Sequence, residues 1–142
     1  MTDREQGPVL AGKGLKQHYE ISLGAFKAKG IVKAVDGVDF SVQAGKTLAV
    51  VGESGCGKSS LARQLTLIES PTAGTLTFDG QDILSLSPAE KRLARQRIQI
   101  IFQNPYGSLN PRKKVGQILE EPLVINTNVG AAERKERALS LL

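Results

Sequence analysis

The residues that could do chemistry lie in one short segment, Gly-Glu-Ser-Gly-Cys-Gly-Lys-Ser, which follows directly on an apolar run at 47–51. The segment matches the pattern G-x-x-x-x-G-K-[ST], a loop that opens a helix and holds phosphate with successive backbone N–H groups. Its glycines permit positive φ and a close approach to an anion. Its lysine adds positive charge, and its first serine hydroxyl is a ligand type for Mg²⁺. The segment therefore predicts nucleoside triphosphate binding, the alternative being a glycine-rich turn without a ligand.

The predicted binding residues run through this loop into the first turn of the helix. They are Gly52, Glu53, Ser54, Gly55, Cys56, Gly57, Lys58, Ser59 and Ser60, with Ser59 also the predicted metal ligand.

Composition narrows the class of protein. The chain has 142 residues, a net charge of +5 and a single cysteine, which excludes a disulfide framework and fits a reducing cytoplasm. No apolar run approaches the length of a membrane span, and the polar start lacks the pattern of a signal peptide. Basic residues alternate with acidic ones, as at 132–137, and aromatic residues make up only 4%. We therefore expect no nucleic-acid partner.

Local patterns predict the elements that position the loop. The apolar runs 47–51 and 98–102 are typical of buried parallel strands, and apolar spacing predicts a helix over 58–68. The sequence Ser-Pro-Ala-Glu at 87–90 is a capping box that starts a helix reaching about Arg97.

The remaining patterns indicate antiparallel strands and further helices. Residues 31–42 read as a hairpin that turns at Asp36-Gly37. A short strand at 74–78 closes at Asp79-Gly80, a helix starts near Val115, and another begins at residue 130. Together these patterns predict an α/β nucleotide-binding core with an antiparallel β piece.

Four segments in this order resemble the ATP-binding subunits of ABC transporters. They are Val-Asp-Gly-Val-Asp-Phe (35–40), the phosphate loop (52–59), Gly-Thr-Leu-Thr-Phe-Asp-Gly (74–80) and Ile-Ile-Phe-Gln (100–103). The stretch 102–113 is similar to the branch that imports di- and oligopeptides. The resemblance covers about residues 15–142 and implies ATP and Mg²⁺ as cofactors. It also implies a P-loop NTPase fold: an incomplete RecA-like ABC ATPase core, an antiparallel β subdomain and the start of a helical subdomain.

The resemblance also implies a domain division. The expected boundaries are a loose N-terminus at 1–14, a mainly β subdomain with a helix at 15–46 and 74–97, a nucleotide-binding core at 47–69 and 98–104, and a glutamine loop with the start of the helical subdomain at 105–142.

Two further site residues follow from the resemblance. Gln103 matches the family's loop glutamine, whose amide oxygen can ligate Mg²⁺ or orient water. Tyr19 is the candidate for the aromatic side chain that stacks on adenine, with Phe26 as its rival and a plain core role as the alternative. The loop 104–112 is expected to face a membrane subunit, or else to be an ordinary surface turn.

Several motifs of the family are absent from these residues. There is no Leu-Ser-Gly-Gly-Gln signature and no apolar strand ending in Asp-Glu, and the sole histidine, His18, precedes the phosphate loop. Lys58 and Gln103 contribute to catalysis, but no catalytic site is complete. We therefore expect the N-terminal portion of such a subunit, which binds ATP without hydrolysing it alone.

The resemblance implies partners and a location as well. The partners are transmembrane permease subunits, a second ATP-binding subunit and, indirectly, a peptide-binding protein; the location is the cytoplasmic side of the bacterial inner membrane, held peripherally. Two other interpretations are open. One is a small P-loop kinase with a lid of Arg92, Arg95 and Arg97, and the other is a non-catalytic nucleotide-binding remnant.

Overall fold

The computed structural model describes residues 7–22, 29–104 and 106–142. These described residues form two compact units, with the division between Ile98 and Gln99. The first unit contains four strands and two helices: β1 (Leu10–Ser22), β2 (Lys29–Val42), α1 (Lys58–Leu65), β3 (Ala73–Phe78), β4 (Gln81–Asp82) and α2 (Pro88–Arg97). The second unit contains a short 3-10 turn (Tyr106–Ser108), α3 (Val115–Asn126) and α4 (Ala131–Leu139).

The sheet of the first unit is antiparallel, with the strand order β2-β1-β3-β4. β2 pairs with β1 along its whole length, so the predicted hairpin over 31–42 is wrong. The pairing register shifts between Leu15 and Lys16, where Gly37 has φ 84°. Gly37 thus forms a bulge inside a continuous strand instead of a turn. The sequence does not distinguish the two features, because both favour a residue with positive φ.

The N-terminal strand starts earlier than the sequence indicated. Residues 10–14, assigned to the loose N-terminus, belong to β1, and residues 10–12 pair with both β2 and β3. The strand lacked a clean alternating pattern because further register shifts interrupt it between Gly12 and Leu15.

Two local predictions are confirmed. β3 and β4 form a hairpin through Asp79 (φ 49°) and Gly80 (φ 77°), the two positive φ values that a type I′ turn requires. α2 begins at Pro88 with a complete capping box, in which Ser87 and Glu90 each accept a hydrogen bond from the other's backbone N–H.

The predicted strands at 47–51 and 98–102 are wrong for the described residues, since neither segment pairs with another strand. A buried parallel strand needs hydrogen-bonded neighbours along its edges and cover on both faces. Neither is provided here, and Val51 and Ile101 are 87% and 91% exposed.

The hydrophobic core lies between the sheet and the two helices of the first unit. Its buried members are Leu15, Val35, Leu61, Leu67, Leu76, Ile83 and Ala94. In the second unit α3 packs against α4, where Ala138 is buried. None of the helices in the described part of the chain is long and apolar enough to cross a membrane.

Candidate nucleotide site

The glycine-rich loop forms a tight backbone turn that ends at the start of α1. Gly55 has φ 81°, and Gly57, the residue that precedes the helix, has φ 96° and ψ 0°. The N–H groups in the first turn of a helix have no intrahelical acceptor, and the helix dipole adds positive potential there. The loop is exposed from residue 52 to residue 56. The local chemistry therefore suits an anion such as a polyphosphate.

Gly57 is required for packing as well as for its φ angle. A methyl group at this position would overlap the carbonyl oxygen of Ala34 in β2. Ala34 is itself the extra residue of a bulge, because the pairing steps from Gln17–Val35 to His18–Lys33. The bulge thus lies where the end of the phosphate loop contacts the sheet, a common position for bulges near functional sites.

The Lys58 side chain folds back across the loop. Its Nζ donates to the carbonyl oxygens of Gly52 (2.7 Å) and Glu53 (2.6 Å) and lies 3.5 Å from the Cys56 Sγ. The ammonium group is thereby held inside the curve of the loop by neutral acceptors. A polyphosphate would be a stronger acceptor for the same charge, so the arrangement fits an anionic ligand at this position.

A small apolar cleft of about 230 Å³ lies between the loop and β2. Its walls come from Val35 and Val38 of β2, Leu61 of α1 and the exposed run at Val50 and Val51. The side of the loop that faces the cleft is therefore apolar. The backbone N–H groups of the loop and the Lys58 ammonium provide its polar side.

Asp36 lies at the rim of this cleft and is held by basic side chains. His18 Nε2 lies 2.9 Å from one carboxylate oxygen, and Lys33 Nζ lies 3.3 Å from the other. The hydrogen bond with His18, followed by that with Lys33, lowers the pKa of Asp36 below its ordinary value. The sequence showed Asp36 only as a turn residue, because its partner His18 is brought close only by the pairing of β1 with β2.

Tyr19 is half-buried in β1, and its hydroxyl donates to the Glu69 carboxylate at 2.7 Å. Sequence reasoning missed Glu69 entirely, because no local pattern connects residues so far apart. Phe26, the other candidate for adenine stacking, lies outside the described residues.

Gln103 is exposed in the second unit, beside Phe102, Asn104, Gly107 and Ser108 around an open depression of about 440 Å³. The structure thus places the predicted loop residues together in the first unit and Gln103 in the other. A joint role of Gln103 and the phosphate loop stays a prediction.

The residues around the loop could bind Mg²⁺ only together with a bound phosphate group. Within the described ranges, no group of three or more His, Cys, Asp or Glu could hold a metal ion. The Ser59 residue is exposed at the start of α1. This is the arrangement expected for a cation that takes one or two protein ligands and completes its shell with phosphate oxygens and water.

Two arginines of the imagined kinase lid have structural contacts instead. Arg95 Nε donates to the carbonyl oxygen of Leu67 at 3.1 Å. Arg97 pairs with Asp79, and its guanidinium lies 4.7 Å from the centre of the Phe78 ring. Both side chains tie α2 to the rest of the first unit, which argues against a phosphate-binding lid on this helix.

The sequence profile of the ABC transporter family matches residues 35–142, and the chain belongs to this family. It is 60% identical over 137 residues to the dipeptide transport ATP-binding protein DppF of Escherichia coli K12, covering 96% of this chain and 41% of that protein. It is 44% identical over 144 residues to the oligopeptide transport ATP-binding protein AppF of Bacillus subtilis 168, covering 100% of this chain and 44% of that protein. These relatives confirm the resemblance to the peptide-importer branch.

Solved structures support the fold. The ATP-binding cassette MJ0796, a dimer in a post-hydrolysis state bound to ADP and Pi, superposes with a TM-score of 0.71 at 24% identity over 92% of this chain and 54% of that chain. The cbiO1 protein of Clostridium perfringens, part of the ABC transporter complex cbiONQ, gives a TM-score of 0.65 at 26% identity over 92% of this chain and 47% of that chain. The fold is that of a partial ABC ATPase domain, and the chain spans about two fifths of the length of the curated relatives described above.

Proposed function

We propose that the chain is the nucleotide-binding portion of an ATPase subunit that powers the import of di- or oligopeptides. The observation that carries the proposal is the loop at 52–59, where Gly57 seats the start of α1 against Ala34 and Lys58 lies across the loop carbonyls. The identity to peptide transport ATP-binding proteins supports the kind of solute.

The roles of the proposed residues follow from their chemistry. The backbone N–H groups from Glu53 to Ser60 and the Lys58 ammonium would hold the ATP phosphates, and the Tyr19 ring would hold the adenine. Ser59 and Gln103 would be protein ligands of Mg²⁺. When bound, ATP with Mg²⁺ supplies a transferable phosphoryl group whose charge the metal partly neutralises.

Hydrolysis requires more than these residues provide. Phosphoryl transfer to water needs a group that orients or activates the water, together with charges on several sides of the phosphate. The 142 residues contain neither the family's signature sequence nor its Asp-Glu strand end. We therefore propose that this stretch by itself binds ATP and does not turn it over.

The same family relation suggests partners and a location. We propose transmembrane permease subunits, a second ATP-binding subunit and, indirectly, a peptide-binding protein, at the cytoplasmic face of the bacterial inner membrane. We also propose the domain division, with the start of the β subdomain moved to residue 10, where β1 begins. The nucleotide-binding core is then 47–69 and 98–104, the mainly β subdomain is 10–46 and 74–97, and the glutamine loop and helical subdomain are 105–142.

Calorimetric titration with Mg-ATP tests this proposal. The wild-type chain should bind, and Lys58→Ala should lose most of that affinity, because removing one partner of a charge-assisted contact costs about 1.5–3 kcal/mol, or roughly ten- to a hundredfold. Lys46→Ala is the matched control, since Lys46 is an exposed lysine that precedes the loop. Equal binding by Lys58→Ala and Lys46→Ala, or no binding by the wild type, would contradict the proposal.

A further inference from the structure

We propose that Glu69 is a positioning residue for nucleotide binding, which acts by holding the ring of Tyr19 in a fixed orientation. The inference rests on the proposed function, since it concerns the base end of the same nucleotide site. It goes further in assigning a role to a carboxylate that lies outside the phosphate loop and outside every motif recognised in the sequence.

The Tyr19 side chain belongs to the face of the sheet that α1 covers. β1 alternates regularly from Leu15 through Gln17 to Tyr19, because the nearby bulges add their extra residues to β2. Gln17 on this face accepts a hydrogen bond from Gln64 Nε2 of α1 at 2.8 Å. Tyr19 therefore shares a face with the helix that begins at the phosphate loop.

The backbone of Tyr19 is also close to the loop along the sheet. Ala34, which contacts Gly57, lies between the β2 residues that pair with Gln17 and His18, and Tyr19 is the next residue of β1. Strand spacings of about 3.3 Å per residue and about 4.8 Å between strands place the Tyr19 backbone within roughly 10 Å of Ala34. This separation suits a nucleotide with its phosphates at the loop and its base at the ring.

Glu69 is itself held firmly. Its backbone N–H donates to the Arg63 carbonyl oxygen at 3.1 Å, and the Arg63 guanidinium donates to its Oε1 at 3.2 Å. Its other oxygen, Oε2, accepts from the Tyr19 hydroxyl. The chain reaches this position through Leu67, a buried residue with φ 57° in the turn that follows α1. The carboxylate therefore joins the end of α1 to the tip of the tyrosine.

This arrangement should increase affinity by preorganisation. A tyrosine that is free to change rotamer must lose that freedom when a base stacks on it, whereas an anchored ring has already lost it. Immobilising one side chain in advance is worth about a two- to tenfold gain in affinity. The gain applies to the base and leaves the phosphate contacts unchanged, which separates a positioning role from a merely structural one.

The test compares Mg-ATP with magnesium tripolyphosphate, which has the phosphates but no base, by calorimetry on the full chain. Glu69→Ala and Tyr19→Phe should each weaken ATP binding about two- to tenfold and leave tripolyphosphate binding unchanged. Glu69→Gln, whose amide oxygen can still accept from the hydroxyl, should restore most of the ATP affinity. The double variant should be no weaker than either single variant, because both remove the same contact.

The control is Glu20→Ala. Glu20 is the residue of β1 next to Tyr19, and its carboxylate forms an ion pair with Lys29. It should leave both ligands unaffected. Parallel loss of ATP and tripolyphosphate binding in Glu69→Ala and Tyr19→Phe would indicate a structural role and overturn the inference. So would unchanged ATP affinity in both variants, or a wild-type chain that binds ATP no more tightly than tripolyphosphate. In the last case the phosphate loop assignment would stand, whereas failure of the wild type to bind either ligand would overturn both proposals.

Discussion

The two units of the chain differ in how they bury apolar side chains. The first unit encloses a continuous core between an antiparallel sheet, α1 and α2. In the second unit the described helix α3 has no buried residue, and Val115, Val124 and Ile125 are exposed. Because burial of apolar surface is the main source of stability, the unit that carries the phosphate loop should hold most of the folding free energy.

The same contrast occurs inside the first unit. Strands β1 and β3 find partners on both edges, whereas the apolar run at 47–51 has no strand partner among the described residues and remains exposed. The contact of Gly57 with Ala34 therefore fixes the end of the loop against β2. The run at 47–51, which leads into the loop, buries little apolar surface. The position of the phosphate loop depends on the antiparallel sheet and α1.

The largest expected effect comes from removing a core side chain. Leu76 in β3 is 0% exposed, so Leu76→Ala should lower the free energy of unfolding by about 2–5 kcal/mol. Val124 in α3 is 55% exposed, and Val124→Ala should change it by no more than about 0.5 kcal/mol. Urea unfolding followed by circular dichroism measures both. A similar loss in the two variants would show that the second unit has a core of comparable stability and would contradict the difference between the two units.

A smaller effect is expected at the contact between the loop and the sheet. Gly57 has φ 96°, and Gly57→Ala introduces a methyl group that overlaps the Ala34 carbonyl oxygen. The change should lower the free energy of unfolding by about 1–3 kcal/mol. Gly55→Ala is the matched control, since Gly55 also has positive φ (81°) but has open space around it. It should lower the free energy of unfolding by only about 1 kcal/mol. Unfolding curves of the two variants should therefore separate. If Gly57→Ala proved the milder change, the contact with β2 would not determine the loop position.

The smallest effect concerns the start of α2. Hydrogen bonds from the Ser87 side chain and then from its backbone lower the pKa of Glu90 below its ordinary value. The ionised form is therefore favoured in the folded state. This contribution is present above the pKa of the unfolded carboxyl, about 4.3. It is lost as the pH falls below that value and through the lower pKa of the folded state.

The measurement is the urea midpoint from pH 7 to pH 3 for the wild type, Glu90→Gln and Ser87→Ala. Both variants should be less stable than the wild type at pH 7, and the difference should shrink below about pH 4. A difference that is independent of pH would contradict the assigned role of the Glu90 carboxylate.

Local sequence was sufficient where a feature depends on neighbouring residues. The capping box at Ser87 and the turn at Asp79-Gly80 were predicted because each is completed within a few residues. Gly37 was misread since a bulge and a turn use the same local signal, and only the pairing of β2 with β1 distinguishes them. The phosphate loop was recognised for the same reason as the caps: its function is encoded in a short fixed spacing.

Features that depend on distant partners were not predicted. The strand pattern at 47–51 is strong, but a strand forms only where neighbouring strands supply hydrogen bonds. The contacts of Gly57 with Ala34, of Asp36 with His18 and of Tyr19 with Glu69 each join different elements, so that no spacing along the chain indicates them. These contacts between elements determine how the site is held, whereas the motif indicates its chemistry.

The only cysteine of the chain lies in the loop at 52–59, which we propose encloses the phosphates of ATP, so its reactivity reports directly on phosphate binding. Cys56 is exposed within the loop, with its sulfur 3.5 Å from the Lys58 ammonium. Its rate of alkylation by N-ethylmaleimide, followed by mass spectrometry, should fall sharply in the presence of Mg-ATP in the wild-type chain and stay unchanged in Lys58→Ala. Equal rates with and without Mg-ATP in the wild type would contradict the claim.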